Sequence, residues 1–319
     1  MKKILSILLF ISYNIYSQVS FTPGETLVDL SHFSSNISAL ASADLNNDGY
    51  KELIVGSYYD NSLMFYKNIN GDLQHFKREV LIPRNITTYY TDFAIVCKDI
   101  NGDGLIDIAV THSYINKVSW YKNLGNYKFD GERTLDIVNR PQSLALDDID
   151  KDGDIDFIVG SKNDKKITIL FNNGNEVFNQ QKVITMPSKG VNKIEIIDLD
   201  KNGFLDIVSG HEEGTIYWTK NTDGVNFTAP EYITGNTDDG TGFGFLNINE
   251  DQDEFYDIVF TSKYNNNIKY LINNNGNGFV SESIINSTSE VPYNLVVKDF
   301  DKDGYQDLIV SYTGDDKIG

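Results

Sequence analysis

One alternation of apolar and polar positions recurs along this chain. Each unit opens on a short run of β-formers or small residues, as in "SLALDD" or "KIEIID". An acidic loop follows, then a β-branched run such as "DFIVGS" or "DIAVTH". A third run is rich in aromatics and ends in Asn: "FYKN" 65–68, "WYKN" 120–123, "LFNN" 170–173, "WTKN" 218–221 and "LINN" 271–274. A Gly/Asn turn, a Phe (Phe76, Phe129, Phe178, Phe227, Phe279) and a fourth run such as "ERTLDIV" complete the unit. No stretch has helical periodicity, so the pattern predicts four short strands with turns between them.

The acidic loops mark the period. Copies begin at Asp44, Asp99, Asp148, Asp198 and Asp299, with a degenerate copy at Asn247; successive starts lie 55, 49, 50, 49 and 52 residues apart. A period near fifty marks a repeat architecture and overrides a two-domain reading of 319 residues. Four strands per unit, in series, predict an all-β chain: a β-propeller of about six to seven four-stranded blades. "FTPGETLVDL" at 21–30 resembles the fourth-strand segment "FDGERTLDIV" at 129–138 and is expected to complete the last blade. The last unit stops at "SYTGDDKIG", before its aromatic third run. An unpaired strand edge invites aggregation, so the expectation is an incomplete last blade in a portion of a longer protein.

The loop at Asp148, "DIDKDGDIDFIVG", shows the chemistry. Asp148, Asp150, Asp152 and Asp156 place side-chain oxygens at positions 1, 3, 5 and 9, Gly153 at position 6 permits a tight turn, and Asp154 can offer its carbonyl. Hard oxygen ligands closing round a point suit Ca²⁺, and suit Mg²⁺ less because it demands stricter octahedral geometry. A metal-free acidic turn is the alternative. An EF-hand would place a bidentate Glu at position 12 between helices. A catalytic acid pair would occur once, in a pocket. The other candidate sites are Asp44, Asn46, Asp48 and Glu52; Asp99, Asn101, Asp103 and Asp107; Asp198, Asp200, Asn202 and Asp206; and Asp299, Asp301, Asp303 and Asp307. In the fifth unit, near 247–257, a two-residue insertion lets the ligands start at Asn247 or at Asn249. The second register offers Asn249, Asp251, Asp253 and Asp257, with Glu254 in place of the glycine. About five sites are expected, with the fifth loop weak or empty.

Charge agrees with cations as partners. The formal net charge is -19, concentrated in loops, which argues against nucleic acid and anionic membrane surfaces. Residues 1–17 read as a secretory signal peptide, with Lys2 and Lys3 before the apolar run Ile4 to Ile11 and cleavage after Ser17. That run is too short to span a bilayer, so no membrane insertion is expected, and a secreted or cell-surface location is. The propeller would then occupy 18–319. Cys97, the single cysteine, lies in an apolar run and reads as a buried thiol, so bound cations would stand in for disulfides.

The D-x-D-x-D-G-x-x-D loop followed by an apolar strand resembles the FG-GAP/VCBS-type repeats, the calcium-loop propellers that include integrin α-subunit heads. The resemblance covers about residues 20 to 319. Phe243-Gly244 matches the Phe-Gly mark, whereas "GS", "TH" and "GH" stand where Gly-Ala-Pro would be, so the chain looks nearer the bacterial VCBS-like branch. The resemblance implies a propeller with bound Ca²⁺ and a role in adhesion or ligand binding; some calcium-bearing propellers are polysaccharide lyases.

In such a blade the face opposite the acidic loops carries Tyr58, Tyr59, His112, Tyr114, Arg140, His211 and Tyr264, residue types that suit sugar stacking, hydrogen bonding or a protein hot spot, or that simply make polar loops. Trp120 and Trp218 read as packing between blades. The favoured function is a secreted, non-catalytic binding or adhesion propeller for protein or glycan, with a scaffold within a larger secreted protein as a variant. The alternative is a lyase of acidic polysaccharide, with His112, His211 or Tyr114 as base and Arg140 neutralising a substrate carboxylate.

Overall fold

The computed structural model describes residues 37–57, 62–69, 71, 77–82, 94–136, 139–235, 237, 241–248, 254–262, 265–287, 291–300, 304–313 and 317–318. The signal segment 1–17 and the segment 21–30 lie outside the described residues, as do Tyr58, Tyr59, Asn249, Asp251, Asp253, Tyr264, Asp301 and Asp303. Two units are distinguished, Leu27–Thr241 and one that includes Gly242–Gly319.

The first unit holds four antiparallel sheets, each a meander in chain order. Sheet one is β1 (Ile37–Ala43), β2 (Glu52–Ser57), β3 (Ser62–Lys67) and β4 (Lys77–Ile82). Sheet two is β5 (Ile95–Lys98), β6 (Asp107–His112), β7 (Lys117–Tyr121) and β8 (Arg133–Asp136). Sheet three is β9 (Pro141–Asp147), β10 (Asp156–Ser161), β11 (Lys166–Phe171) and β12 (Gln180–Thr185). Sheet four is β13 (Val191–Ile197), β14 (Asp206–His211), β15 (Ile216–Thr219) and β16 (Glu231–Thr234). The second unit holds sheet five, β17 (Phe243–Leu246), β18 (Asp257–Ser262), β19 (Asn267–Asn273) and β20 (Phe279–Ser287). Its other sheet has three described strands, β21 (Val291–Lys298), β22 (Asp307–Thr313) and β23 (Lys317–Ile318).

Each acidic loop joins the first and second strands, as the pattern predicts. In the first five sheets the middle of the second strand is mostly apolar because both of its faces are buried. Side chains alternate across a strand, so neighbours in β6 and β7 serve opposite partners. Ile108, Val110 and Tyr121 pack with Ile54 and Phe65 of sheet one. Ala109, Val118 and Trp120 pack with Phe157 and Val159 of sheet three. Sheets three and four meet in the same way through Ile158, Ile167, Ile207 and Tyr217, and within the second unit Val259 and Ile268 meet Leu295 and Val310. Trp120 and Trp218 are both buried, as packing residues should be. Cys97 is half-buried on β5 beside this packing, and burial pushes its thiol up to about 12, so it is protonated at neutral pH.

The Asn that ends each third run has a defined job. Asn123 Nδ2 donates to the Ile106 carbonyl of its own sheet at 2.9 Å and to the Leu45 carbonyl of sheet one at 2.8 Å. Asn172 reaches Ile155 and Ile100 at 3.3 and 3.4 Å, and Asn221 reaches Leu205 and Ile149 at 3.1 and 2.9 Å. These three Asn therefore each tie their own acidic loop to the loop of the preceding sheet. Its Oδ1 accepts a turn N–H, that of Gly125, Gly174 or Gly224. Removing such a side chain leaves buried carbonyls without a donor, which costs about 1–3 kcal/mol per group. Asn221→Ala is expected to lose about 3 kcal/mol in denaturant unfolding, against about 0.5 kcal/mol for the exposed Asn173→Ala. Equal losses at the two positions would contradict the tie.

Candidate metal centres

The position-nine acid opens each second strand, and its first employment is structural. Glu52, Asp107, Asp156, Asp206 and Asp257 are buried. In the first four, one oxygen accepts the N–H of loop position 2: Leu45 at 2.8 Å, Ile100 at 2.9 Å, Ile149 at 3.0 Å and Leu199 at 3.1 Å; Asp257 accepts that of Ile248 at 2.9 Å, nine residues earlier rather than seven because of the insertion. The other oxygen of each accepts the backbone N–H of the third-strand Asn, at 3.3 Å for Asn68, 2.7 Å for Asn123 and 2.8 Å for Asn172, Asn221 and Asn273. Burial pushes Asp107 and Asp206 up to about 6 and Asp156 up to about 7, while the backbone donors pull the other way. Asp307 accepts the Phe300 N–H at 2.8 Å in the same manner.

The position-one aspartate closes the turn. Its Oδ2 accepts the position-six glycine N–H at 2.7 Å in the first two loops, 3.0 Å in the third, 2.9 Å in the fourth and 3.1 Å at Asp299. Those glycines have φ of 88°, 84°, 98°, 92° and 93°, a conformation that glycine alone adopts without strain. Position 4 is left-handed too, in Asn47, Gly102, Lys151 and Lys201. Asn and Gly hint at this in the sequence; the two lysines give no signal.

The loops then divide. In the first two, Asp44 Oδ1 and Asp99 Oδ1 accept the N–H groups of Asp48 and Asp103, both at 3.1 Å. Asn46 donates to Asp48 at 2.8 Å and to the Tyr127 hydroxyl of sheet two at 2.7 Å. Asn101 donates to Asp103 at 3.1 Å and to Glu176 of sheet three at 3.3 Å. Glu176 also pairs with Lys122 at 2.9 Å and with Arg133. The third and fourth loops lack these satisfactions. Asp148 Oδ1 and Asp198 Oδ1 are buried without a hydrogen-bond partner, as is Asp299 Oδ1. Among the described residues two acidic trios bring oxygens within 4.8 Å of one another: Asp148, Asp150 and Asp152, and Asp198, Asp200 and Asp206. A buried carboxylate oxygen with no donor, facing two further carboxylates, is the arrangement a cation corrects. These residues fit a metal ion. Asp156 is outside the first trio, whereas Asp206 belongs to the second; Asn202 instead donates to the Asn221 carbonyl at 2.8 Å.

The opposite end of the sheets differs from the expected polar face. His112 and His211 are the last residues of β6 and β14, only 5% and 0% exposed, and are not solvated loop histidines. His211 Nε2 lies 3.0 Å from Ser209 Oγ, and its ring meets Tyr217 edge-on. His112 Nε2 lies 3.5 Å from Glu132. Tyr114 and Arg140 do come together, the guanidinium 4.4 Å from the ring centre. Two clefts lie elsewhere: one of about 420 Å³ lined by Phe65, Tyr121, Tyr127, Phe129, Glu79 and Glu132, and one of about 680 Å³ crossed by the Lys269–Glu282 pair.

A family model described as FG-GAP-like repeat matches residues 44–110, 99–159, 148–209 and 251–310. The chain belongs to the FG-GAP-like repeat family. Each FG-GAP-like match runs from an acidic loop into the second strand of the following sheet. No curated protein matches in sequence. Similar solved structures include a lectin of Agrocybe aegerita, in a study of recognition of non-reducing terminal N-acetylglucosamine (18% identity, 88% of this chain and 78% of that one, TM-score 0.62). The lectin BP39L of Burkholderia pseudomallei is similar at 11% identity, over 88% and 79% of the two chains, with TM-score 0.62. BBS1N, solved in complex with ARL6DN, is similar at 14% identity, over 87% and 76%, with TM-score 0.55. The FG-GAP-like sheets are the blades of a β-propeller.

Burial lowers the imidazoles of His112 and His211 to about 4. Both folded values lie below the ordinary value of 6.5, so the unfolded chain binds these protons more readily. The stability they contribute is complete above pH 6.5 and is lost as pH falls toward 4. In an NMR titration both rings should remain neutral down to about pH 5. Midpoints near 6.5 would refute the buried placement.

Proposed function

We propose that the chain is a secreted, calcium-loaded propeller that acts as a non-catalytic binding module for an extracellular glycan. The observation that carries the cation is the orphaned, buried Oδ1 of Asp148 and of Asp198 beside two further carboxylates. Calcium takes hard oxygen ligands in flexible geometry, which suits a loop of aspartates and a backbone carbonyl. Bound there, it removes carboxylate repulsion and ties the first two strands of a blade. Secretion rests on the leader pattern of residues 1–17.

Binding without catalysis is supported by the fate of the candidate bases. His112 and His211 are enclosed at the ends of strands, 5% and 0% exposed. Tyr114, by contrast, is 39% exposed beside a guanidinium, as a sugar-stacking ring would be. The likeness to two lectins at the level of fold favours a glycan over a protein ligand.

At ten times its dissociation constant each bound ion adds about 1.4 kcal/mol of stability. Millimolar Ca²⁺ should therefore raise the melting temperature, and a chelator should reverse the rise. Asp150→Asn with Asp200→Asn should abolish most of this shift. A melt indifferent to Ca²⁺ sinks the cation reading. The ligand is tested on a glycan array with a parallel assay for unsaturated sugar products; binding without products supports the proposal, and turnover returns the chain to the lyases.

A further inference from the structure

We propose that Arg140, Tyr114 and Lys162 form a recognition site for an anionic saccharide, one bearing carboxylate or sulfate, at the end of blades two and three opposite the acidic loops. The inference deepens the binding function and rests on it.

Placement comes from the chain. Tyr114 lies in the 3-10 turn Ser113–Ile115, between the second and third strands of blade two. Arg140 lies in the connection that enters β9 of blade three, and Lys162 in the turn after β10. Hydrogen bonds bring the three segments together. Arg140 N donates to Asn116 Oδ1 at 2.8 Å, Lys162 N donates to the Arg140 carbonyl at 2.8 Å, and Ser113 Oγ donates to the Pro141 carbonyl at 2.5 Å.

Arg140 is held in a conformation that it would not choose. Its φ is 55°, in the left-handed region that costs a non-glycine residue about 1 kcal/mol or more. Such outliers persist where the surroundings over-determine them, often at ligand clamps. The guanidinium lies on the Tyr114 ring and makes no ion pair among the described residues, and its Nε is buried without a hydrogen-bond partner. Gln142 Oε1, two residues on, is likewise buried and unpartnered. A positive fork without a carboxylate is notable in a chain with 46 acidic and 27 basic residues.

Charge is segregated by the meander. The strand one-to-two loops of blades two and three, 99–106 and 148–155, carry six aspartates against Lys151. At the other end, the described residues of the connections β6–β7, β8–β9 and β10–β11 carry Arg140, Lys162 and Lys165 against Asp164. Lys165 Nζ is engaged by the Pro187 carbonyl at 2.8 Å, which leaves Arg140 and Lys162 as the cations for a ligand. A guanidinium fork matches a carboxylate or sulfate, the exposed Tyr ring offers an apolar face to a pyranose, and an amide oxygen can accept a sugar hydroxyl.

Calcium-loaded protein would be titrated calorimetrically with a uronate oligosaccharide, a sulfated one and a neutral one of equal length. The anionic sugars are expected to bind, more weakly as salt rises, and the two arms identify the acid. Arg140→Asn keeps a residue that tolerates φ above zero and should weaken binding at least tenfold, with Arg140→Lys intermediate; melting curves establish that both variants fold. Anionic binding unchanged in both overturns the inference. Binding of the neutral sugar alone also overturns it, leaves the glycan module standing, and directs attention to the aromatic cleft between blades one and two. Failure of all three sugars overturns the inference and counts against a glycan ligand as such.

Discussion

A buried carboxylate at the head of the second strand, present in the first five sheets, is the constraint on which the rest of a blade depends. A charge there is expensive unless it is hydrogen-bonded. Two backbone N–H groups offset the expense, one from the acidic loop and one from the end of the third strand. The same bonds fix where the loop starts and where the third strand stops. The Asn that supplies the second N–H sends its amide to the neighbouring loop. The acid thus organises its own blade, and the Asn registers that blade on the one before it.

Much of this was legible in the residues. Strand order, loop position and the burial of Trp120 and Trp218 follow from alternation and period, because those patterns report which side chains must leave water. The acid at position nine was legible as an acid but not as a latch: a D-x-D-x-D-G-x-x-D string gives every carboxylate the same apparent role. What separates Asp156 from Asp150 is burial, and burial depends on a third strand that lies 16 residues on. The recurring Asn was visible, yet its partners lie 72 to 78 residues away in the preceding blade. No local pattern carries such a contact. His112 and His211 misled for a related reason: each follows a strand-like run, and only the pairing of β6 with β7 and β14 with β15 places them inside its end rather than beyond it.

The loops that look alike as sequence differ in how their charge is met. In the first two, an Asn at position 3 supplies a donor to the adjacent aspartate, and Tyr127 or Glu176 of the following blade reaches across to that Asn. At Asp150 the same position holds an acid, which cannot donate when ionised. Desolvation, with repulsion from Asp152 and Asp148 added, raises its pKa, and Asp148 Oδ1 is left without a donor.

One substitution in kind, Asn to Asp at position 3, therefore exchanges a hydrogen bond between blades for a place where a cation is needed. The first two loops meet the Oδ1 of their leading aspartate with a protein donor; the third and fourth do not. The acids that would draw a cation lie at one end of the sheets, while Arg140 at the other end makes no ion pair among the described residues. Within blades two and three the meander gathers most of the loop acids at one end and leaves Arg140 and Lys162 at the other.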